Sequence, residues 1–341
     1  EILIGLVGSE MCIRDSACLV YLLAYSFIRN HFDSKKALGI SFFTALLFAI
    51  HPVQVETVCW ISASKIVLST FFYLSALICY IQYMRNSKWQ YLLASVVSSI
   101  LAMGCKEQSV IIVPCLLLFD WMLFKRNMRS LKVYIEKVYY LIPAIAIFIV
   151  TLVANKNTGE EIIGYTIVDR FIFLCYSSFK YLLISAIPFK LSYLYPFPFQ
   201  VGEKIPMALW IYPFVILFIG YVIYLNRRKP LLVFCTLFFI LHLLPVLHVI
   251  PLPRYVVAAD RYLYIPYIAF AIGLSILSYH LYERQRKWIL YAGFLYCSYL
   301  CVYTAGYAPA WKNSDTLKEH FKEVLKKRET NLSINFKHEK Q

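Results

Sequence analysis

Charged residues are scarce in this chain of 341 residues, because Asp, Glu, Lys and Arg together make up only 16% of it. Soluble globular proteins carry about 25% of such residues. The hydrophobic residue types account for 60% of the chain, and the mean hydropathy is +0.63. The composition therefore excludes an ordinary soluble domain and predicts an integral membrane protein.

Cysteine patterns that bind metals or form disulfides are also missing. The ten cysteines form no Cys-x-x-Cys motif and no Cys/His cluster, and most lie inside apolar runs, as Cys115 and Cys235 do. Cysteines in such positions pack as small apolar side chains. His242 and His248 lie on roughly opposite faces of one predicted helix, which disfavours a shared metal site.

Positive charge, in contrast, is in excess, with a net charge of +15. The lysines and arginines stand in short loops between apolar runs and form no single basic face, which argues against nucleic-acid binding. Under the positive-inside rule, such loops lie on the cytoplasmic side. The predicted cytoplasmic loops are 29–36, 85–88, 125–137, 226–229 and 283–287.

Apolar runs recur with lengths of roughly 14 to 22 residues, close to the ~20 residues that a helix needs to cross the hydrocarbon core. They are 17–28, 37–50, 66–84, 91–104, 110–124, 138–154, 171–189, 207–225, 231–249, 262–282 and 288–308. We predict an all-α, polytopic membrane fold with about ten transmembrane helices. Because the loops on both sides of run 171–189 come out external, this run is predicted to be an interfacial or re-entrant helix.

Three parts of the chain differ in composition. Residues 1–16 do not fit the rest of the chain and resemble translated sequencing-adapter read-through, so we set them aside; the alternative is a genuine N-terminal half-span. Residues 17–308 are predicted to form the multi-span membrane domain. In the polar, extracytoplasmic tail 309–341, Leu317 and Leu325 belong to an apolar four-residue repeat that predicts a short amphipathic helix. The chain shows no signal peptide and no internal repeat.

The candidate functional residues gather in the loops that topology assigns to the outer side. Residues 250–266 place Arg254, Asp260 and Arg261 between two apolar runs, where an ionisable group is costly and marks a functional site by default. The arginine side chain presents a planar fork of donors that suits phosphate oxygens. We expect Arg254 and Arg261 to bind a phosphate, with Asp260 as their orienting partner and Tyr262 beside them.

A second outer loop, 51–65, contains His51 and Glu56. Pro52 is expected to end the preceding helix, because proline cannot continue it. Glu56 is predicted to bind an acceptor, to pair with Lys65 or to cap the next helix, and these alternatives stay open.

Adjacent Lys106 and Glu107 occupy a tight hairpin loop. They cannot face the same way on a helix, so we expect each to have its own partner. Lys106 is either a phosphate ligand or a lysine that extends to the membrane interface. Tyr195 belongs to an aromatic, proline-rich stretch, 189–200, that lines a sugar or isoprenoid groove or forms part of an interface belt.

Several of these motifs occur together in an order that resembles one known family. They are H-P-V-Q-V-E-T-V-C-W-I-S from His51, L-A-M-G-C-K-E-Q-S-V-I-I-V-P-C-L-L-L-F-D-W from Leu101, L-S-Y-L-Y-P-F-P from Leu191, L-P-V-L-H-V-I-P from Leu244, A-D-R-Y-L-Y-I-P from Ala259, and Trp311 with Asp315 to Leu317. From about Ala17 to Leu325 the chain is similar to the tetratricopeptide-repeat-linked O-mannosyltransferase-like membrane proteins of the glycosyltransferase C superfamily.

The resemblance implies an inverting sugar transfer from a polyprenyl or dolichyl phosphate carrier, with cations holding the leaving phosphate. The implied phosphate ligands are Arg261, Arg254 and Lys106. The implied supporting or acceptor-side residues are Asp260, Glu107, Glu56, His51, Tyr262 and Tyr195. No cofactor is expected beyond the lipid-linked sugar as donor substrate, and assistance by a divalent metal stays open.

The chain also departs from the family pattern. In the family the catalytic carboxylate belongs to an external loop that would precede residue 17, so the base is expected to be missing, as in a gene truncated at its 5′ end. The sequence Ala63-Ser64-Lys65-Ile66 stands where relatives often carry E-R-K-D or G-R-x-D. The repeats expected after the last span are missing as well.

The sequence thus predicts a membrane glycosyltransferase domain that transfers a sugar, such as mannose, to a periplasmic or lumenal protein, and that is inactive as given. Its expected partners are membrane lipid, the polyprenyl-phosphate sugar and a protein acceptor, without nucleic acid. We expect it in a bacterial inner membrane, or alternatively the endoplasmic reticulum, with the active face and tail extracytoplasmic. A transporter or flippase for a lipid-linked or anionic substrate, and a non-catalytic scaffold, are the alternatives.

Overall fold

The protein is helical throughout the part of the chain that a computed structural model describes, which is residues 2–157, 164–189, 191–192, 195–248, 256–313, 315–319 and 322. Within these residues the only strand-like pairing is an isolated antiparallel β-bridge between Tyr195 and Ala258. The all-α prediction is therefore confirmed for the described residues.

Thirteen α-helices follow one another in these segments, and short 3-10 helices connect several of them. They are α1 (Ile2–Ile28), α2 (Ser34–Ile50), α3 (Val55–Cys59), α4 (Ser64–Asn86), α5 (Trp89–Cys105), α6 (Ile112–Met122), α7 (Leu131–Ile135), α8 (Val138–Asn157), α9 (Ile167–Ala186), α10 (Ile211–Leu225), α11 (Pro230–Leu243), α12 (Pro266–Arg284) and α13 (Arg286–Tyr307).

Local sequence signals explain several of the helix ends. The backbone turns extended at His51 and a 3-10 helix begins at Pro52, as expected for a proline that stops α2. A capping box starts α9: Thr166 Oγ1 accepts from the Asp169 N–H at 3.2 Å, and Asp169 Oδ2 accepts from the Thr166 N–H at 2.8 Å. Ser87 ends α4 in the left-handed conformation, with φ 55°.

The core lies where α1, α2, α4, α11 and α12 pack together. Helix α1 packs on α2 and α4, and α12 packs on α2 and α11, while α5 packs on α4 and α10 on α9. Large side chains such as Tyr73, Tyr80, Phe119 and Phe238 are fully buried there. Several of these rings carry hydroxyl groups, so the core includes polar contacts as well as apolar ones.

Three helical segments of the described chain are long and apolar enough to cross a membrane: Ile61–Asn86, Met207–Leu225 and Arg286–Trp311. The pair Ser34–Ile50 and Pro52–Cys59, bent by 53°, makes a fourth if it is one span. Membrane-spanning helices are thus present by length and composition, and the predicted number of about ten is not confirmed and stays a prediction.

Three further apolar helices are shorter than the length taken for a full span. They are Trp89–Cys105, Val138–Val153 and Pro230–Val246. The first of them ends at the extended residue Lys106, before it reaches the ~20 residues that a straight span needs. Helix α9 is not among the spanning candidates of the described chain, and its interfacial position stays a prediction.

Both ends of the chain bear on the predicted boundaries. Helix α1 runs without a break through residues 2–16, which we set aside on sequence, and their adapter-like origin stays a prediction. Residues 315–319 of the tail are helical, as expected for the amphipathic helix that includes Leu317. Phe321 and Leu325 lie outside the described residues.

A buried network of charges ties α6 to the start of α8. Lys137 Nζ lies 2.7 Å from Asp120 Oδ2 and donates to the Tyr80 hydroxyl at 2.6 Å, and Tyr80 donates to Asp120 Oδ1 at 2.6 Å. Arg126 bridges Asp120 and Glu136, at 3.4 Å and 2.5 Å. Asp120 is fully buried, and its charge is balanced only through these contacts.

Replacing Asp120 with alanine should therefore destabilise the protein by about 3–5 kcal/mol, because buried Lys137 loses its close counter-charge and keeps only Glu136, whose Oε2 atom lies 4.0 Å away. The measurement is the free energy of unfolding in mixed micelles. Glu283→Ala, which removes one partner of the exposed Lys36–Glu283 pair, is the matched control and should change stability little. Equal effects of the two substitutions would contradict the structural role of the buried network.

Candidate functional site

Three segments that are far apart in sequence meet at one end of the helices. The 3-10 helix Pro52–Gln54 and α3 pack against the 3-10 helix Asp260–Leu263, and α3 also packs against the 3-10 helix Ala308–Trp311. The first two segments contain Glu56, Asp260 and Arg261, which sequence analysis singled out. The structure therefore brings the acidic and basic candidates of two predicted outer loops together.

The centre of the site is a buried ion pair between Glu56 and Arg261. The Arg261 Nη1 atom lies 2.6 Å from Glu56 Oε1, and the Arg261 backbone N–H donates to Oε2 at 2.8 Å. The Glu56 side chain is fully buried, whereas 18% of the Arg261 side chain remains exposed. One carboxylate thus fixes both the main chain and the side chain of Arg261, and part of that side chain stays accessible.

Aromatic rings flank the guanidinium of Arg261. Its Cζ atom lies 5.4 Å from the centroid of the Trp60 ring and 5.0 Å from that of Tyr262. Trp60 in turn lies 6.0 Å from Trp311, in the third segment. Cation–π contacts of this kind favour arginine over lysine, because the planar guanidinium stacks on rings.

Asp260 faces a different partner from the one that we expected. Its Oδ1 atom accepts from the Tyr195 hydroxyl at 2.8 Å, and the same hydroxyl accepts from the Ser192 backbone N–H at 3.2 Å. Tyr195 is held by the β-bridge to Ala258, where the Val257 N–H donates to the Tyr195 carbonyl at 2.9 Å. The expectation that Asp260 orients the arginines is wrong for Arg261, because Glu56 has that position.

The same geometry decides the alternatives left open for Glu56. It neither pairs with Lys65 nor caps the next helix along the chain, since its carboxylate is taken up by Arg261. These residues are 205 positions apart, so no local sequence pattern signals the pair. Arg254, the other predicted arginine ligand, lies outside the described residues.

Lys106 and Glu107 pair with each other, contrary to the expectation of separate partners. Lys106 Nζ lies 2.9 Å from Glu107 Oε1. The contact forms because Lys106 is extended, with φ −151° and ψ 121°, between α5 and a 3-10 helix, and helical side-chain spacing does not apply there. Neither side chain forms a hydrogen bond or ion pair with Arg261 in the described part of the chain, so they form a separate cluster.

His51 and His242 have structural contacts. His51 is buried, its Nδ1 atom accepts from the Val53 N–H at 3.2 Å, and its ring lies 4.2 Å from that of Tyr267. His51 thus caps the 3-10 helix that leads to Glu56. His242 lies in the core, 2.8 Å from the Tyr73 hydroxyl. No group of three or more potential metal ligands occurs among the residues that the structure describes.

Two buried polar side chains lie on the same turns as Glu56. The side-chain amide of Gln54 and the Thr57 hydroxyl are buried, and neither has a hydrogen-bond partner among the described residues. An unmatched buried amide or hydroxyl is costly, so such groups commonly meet water or a ligand. Sequence analysis did not single out Thr57, and no signal in the sequence would have identified it.

The pKa of Asp260 is raised well above the usual range of an aspartate. Burial is the main cause, and the nearby Glu56 carboxylate adds to it, while the Tyr195 hydroxyl, Lys180 and Arg261 act in the opposite direction. The phenol of Tyr307 also faces this carboxyl. The protonated form of Asp260 is therefore favoured in the folded protein.

No family model, no curated protein and no solved structure matches this chain. Its function is therefore argued from the side chains that the fold brings together.

Breaking the Glu56–Arg261 pair should reveal its contribution. Glu56→Gln or Arg261→Met alone leaves one buried ion unpaired and should cost about 3–5 kcal/mol, whereas the double variant should lose less than the sum. Free energies of unfolding in mixed micelles give the coupling energy. The same cycle on the pair Lys106–Glu107, whose glutamate side chain is 47% exposed, should give about 0–1 kcal/mol, and a coupling of that size for Glu56 and Arg261 would contradict the role of the pair.

Asp260 should make stability depend on pH. Its pKa is higher in the folded protein than in the unfolded chain, so its contribution is fully present below pH ~4 and is lost as the pH rises towards the folded pKa. The stability of Asp260→Asn relative to the wild type should therefore increase with pH, by at most about 1.4 kcal/mol per pH unit. Unfolding midpoints from pH 4 to 8 test this, with exposed Asp33→Asn as the control; parallel pH curves for wild type and Asp260→Asn would refute it.

Proposed function

We propose that this chain is the membrane domain of a glycosyltransferase that takes a sugar from a polyprenyl-phosphate carrier and transfers it to a protein. The observation that carries the proposal is the Arg261 side chain, which is held by buried Glu56, flanked by Trp60 and Tyr262, and partly exposed before the start of α12. A fixed arginine with an open edge suits a phosphate group at the boundary of a low-dielectric region.

The reaction assigned to this site is an inverting substitution at the anomeric carbon. An acceptor hydroxyl oxygen forms the new bond to that carbon as its bond to the phosphate oxygen breaks, and the phosphate leaves with the electron pair. Arg261 binds the leaving phosphate, whose charge increases in the transition state. Glu56 is a positioning residue that acts through Arg261. The family resemblance assigns the base that accepts the hydroxyl proton to an external loop before residue 17.

The remaining candidates have supporting roles in the proposal. Lys106, together with Glu107, and Arg254 provide further cations for the carrier phosphate. Gln54 and Thr57 offer unmatched donors and acceptors to sugar or acceptor hydroxyls. Asp260, with Tyr195, shapes the 3-10 turn that begins at Asp260 and aims the Arg261 N–H at Glu56. His51 fixes the preceding turn.

The proposed setting is a membrane that about ten helices cross, with the site and the tail on the outer face and the basic loops on the cytoplasmic face. A bacterial inner membrane, with the endoplasmic reticulum as alternative, supplies the lipid-linked donor. A transporter for the same carrier would place its site near the bilayer midplane between symmetric halves. The position of Arg261 at helix ends, next to α12, supports the enzyme instead.

Donor binding tests the phosphate site without requiring the catalytic base. Purified protein in lipid nanodiscs should bind polyprenyl phosphate, and Arg261→Ala should weaken binding by about 10- to 100-fold, the value of one charge-assisted contact. Arg261→Lys should restore only part of it, because lysine lacks the planar fork. Arg286→Ala, at the other end of the helices, is the control with an equal loss of charge. Equal affinities of the Arg261→Ala and Arg286→Ala variants would refute the assignment.

Transfer of a radiolabelled sugar from polyprenyl phosphate to periplasmic or lumenal protein tests the reaction itself, with the gene extended upstream of residue 17. Transfer should be lost in Arg261→Ala and kept in Arg286→Ala. Movement of the lipid-linked sugar across the membrane without transfer would overturn the enzyme in favour of a flippase. Binding without either process would overturn it in favour of a scaffold.

A further inference from the structure

The opposite end of the helices carries a cluster of cations that the proposed function does not use. Arg85 lies in the last turn of α4, a helix of 23 residues whose first turn adjoins the candidate site, so the two ends are about 33 Å apart. Arg29 and His31 lie in the turn between α1 and α2, and Lys125 follows α6. Three separate connections thus contribute to this cluster.

Two pairs of these side chains lie within electrostatic reach, Arg29 with Arg85 and Lys125 with His31. Burial and Lys125 lower the pKa of His31, which favours its neutral imidazole, so the cations of the cluster are Arg29, Arg85 and Lys125. A contact between neighbours of the two pairs brings them to the same end of the helices. The Nη1 atom of Arg126, which follows Lys125 in the chain, lies 3.8 Å from the sulfur of Met84, which precedes Arg85.

No acidic side chain of the described residues forms an ion pair with this cluster. Asp33, in the same turn as Arg29 and His31, is exposed and forms none, and the acids near Lys125, Asp120 and Glu136, are taken up by Arg126 and Lys137. The Nη2 atom of Arg85 donates a hydrogen bond to the Ser26 carbonyl at 2.8 Å, and the guanidinium of Arg29 lies over the Tyr25 ring. Like charges at close range are unfavourable, so an anion from outside the chain would stabilise this end.

The backbone at Lys125 provides a second, independent observation. Its φ is 50°, a left-handed conformation in which glycine is favoured and a lysine is strained. This turn closes α6, since the Arg126 N–H donates to the Asp120 carbonyl at 2.9 Å. A lysine at this position therefore makes the turn less favourable than a glycine would. The lysine contributes a positive charge to this end of the helices.

The surroundings indicate the depth at which the cluster lies. Trp89, just after α4, and Trp121, near the end of α6, are both exposed at this end of the helices. Exposed tryptophans at the ends of apolar helices are typical of the membrane interface, where lipid phosphates lie. A soluble macromolecule would have to reach a surface that lipid headgroups already cover.

We propose that Arg29, Arg85, His31 and Lys125 form a binding site for the phosphate headgroup of an anionic phospholipid. Arg85 and Arg29 direct planar donors at the phosphate oxygens, and Lys125 adds a point charge from the α6 turn. The site ties three helix connections together at the end opposite to the candidate active site. It is independent of the proposed transferase activity.

The test compares nanodiscs of phosphatidylcholine alone with nanodiscs of equal parts phosphatidylcholine and phosphatidylglycerol. The wild type should unfold at a higher temperature in the second mixture. The double variant Arg29→Gln with Arg85→Gln should lose most of that shift and bind phosphatidylglycerol about 30-fold more weakly, as expected for two arginines near a lipid surface. Arg227→Gln with Arg228→Gln, which removes equal charge from an exposed loop, should keep the shift.

A second variant guards against a general folding defect. Lys125→Gly removes the charge but favours the left-handed turn, so it should be as stable as the wild type or more stable in phosphatidylcholine, yet gain less from phosphatidylglycerol. The site would be overturned if phosphatidylglycerol raised the unfolding temperature equally in the wild type, in the Arg29/Arg85 double variant and in Lys125→Gly. The same stabilisation by inorganic phosphate or glycerol phosphate in phosphatidylcholine nanodiscs would also overturn it, in favour of a soluble anion.

Discussion

The architecture of the candidate site depends on one buried charge, that of Glu56. A carboxylate that is fully removed from solvent needs a cation and hydrogen-bond donors, and Arg261 supplies both through its backbone N–H and its guanidinium. Because these two residues belong to distant parts of the chain, the contact requires the turn after α2 and the turn before α12 to lie together. The position of Arg261 is therefore a consequence of folding as much as a feature of the site.

A comparable constraint operates at the other end of the helices. There Asp120 is buried and balanced by Lys137, with Tyr80 and Arg126 completing its hydrogen bonds. The charges within this network cancel, whereas the cations next to it, Arg29 and Arg85 among them, form no ion pair in the described chain. At the candidate site the partly accessible cation, Arg261, belongs to the buried pair itself, whereas at this end the cations are separate from the buried network.

The helical fold could be predicted from the sequence because apolar runs and proline stops are local signals. Helix α2 ends just before Pro52, as expected, and the apolar runs of the described chain form helices. The number of spans is less predictable, since hydropathy marks where an apolar run ends, as at Cys105, but does not show whether a run of fewer than ~20 residues crosses the membrane.

Contacts within the site were beyond the reach of sequence patterns. The pairing of Lys106 with Glu107 depends on one extended residue, and the partner of Asp260 turned out to be Tyr195, brought in by a loop 65 residues away. Sequence analysis correctly selected residues that meet, namely Glu56, Asp260 and Arg261, but assigned the pairs incorrectly. Pairing among buried charges depends on tertiary geometry and has no local signature.

The protonation of Asp260 bears directly on the phosphate binding that we propose. Lys180 also lies close to this site, since its Nζ atom is 4.0 Å from the centroid of the Tyr195 ring. If both Asp260 and Glu56 were charged, their two negative charges would cancel those of Arg261 and Lys180, and the site would have no net positive charge for an anionic carrier. Burial and the neighbouring Glu56 favour the protonated form of Asp260 instead. The site then keeps one positive charge more than it neutralises, which is the electrostatic condition for holding a lipid phosphate in a region of low dielectric.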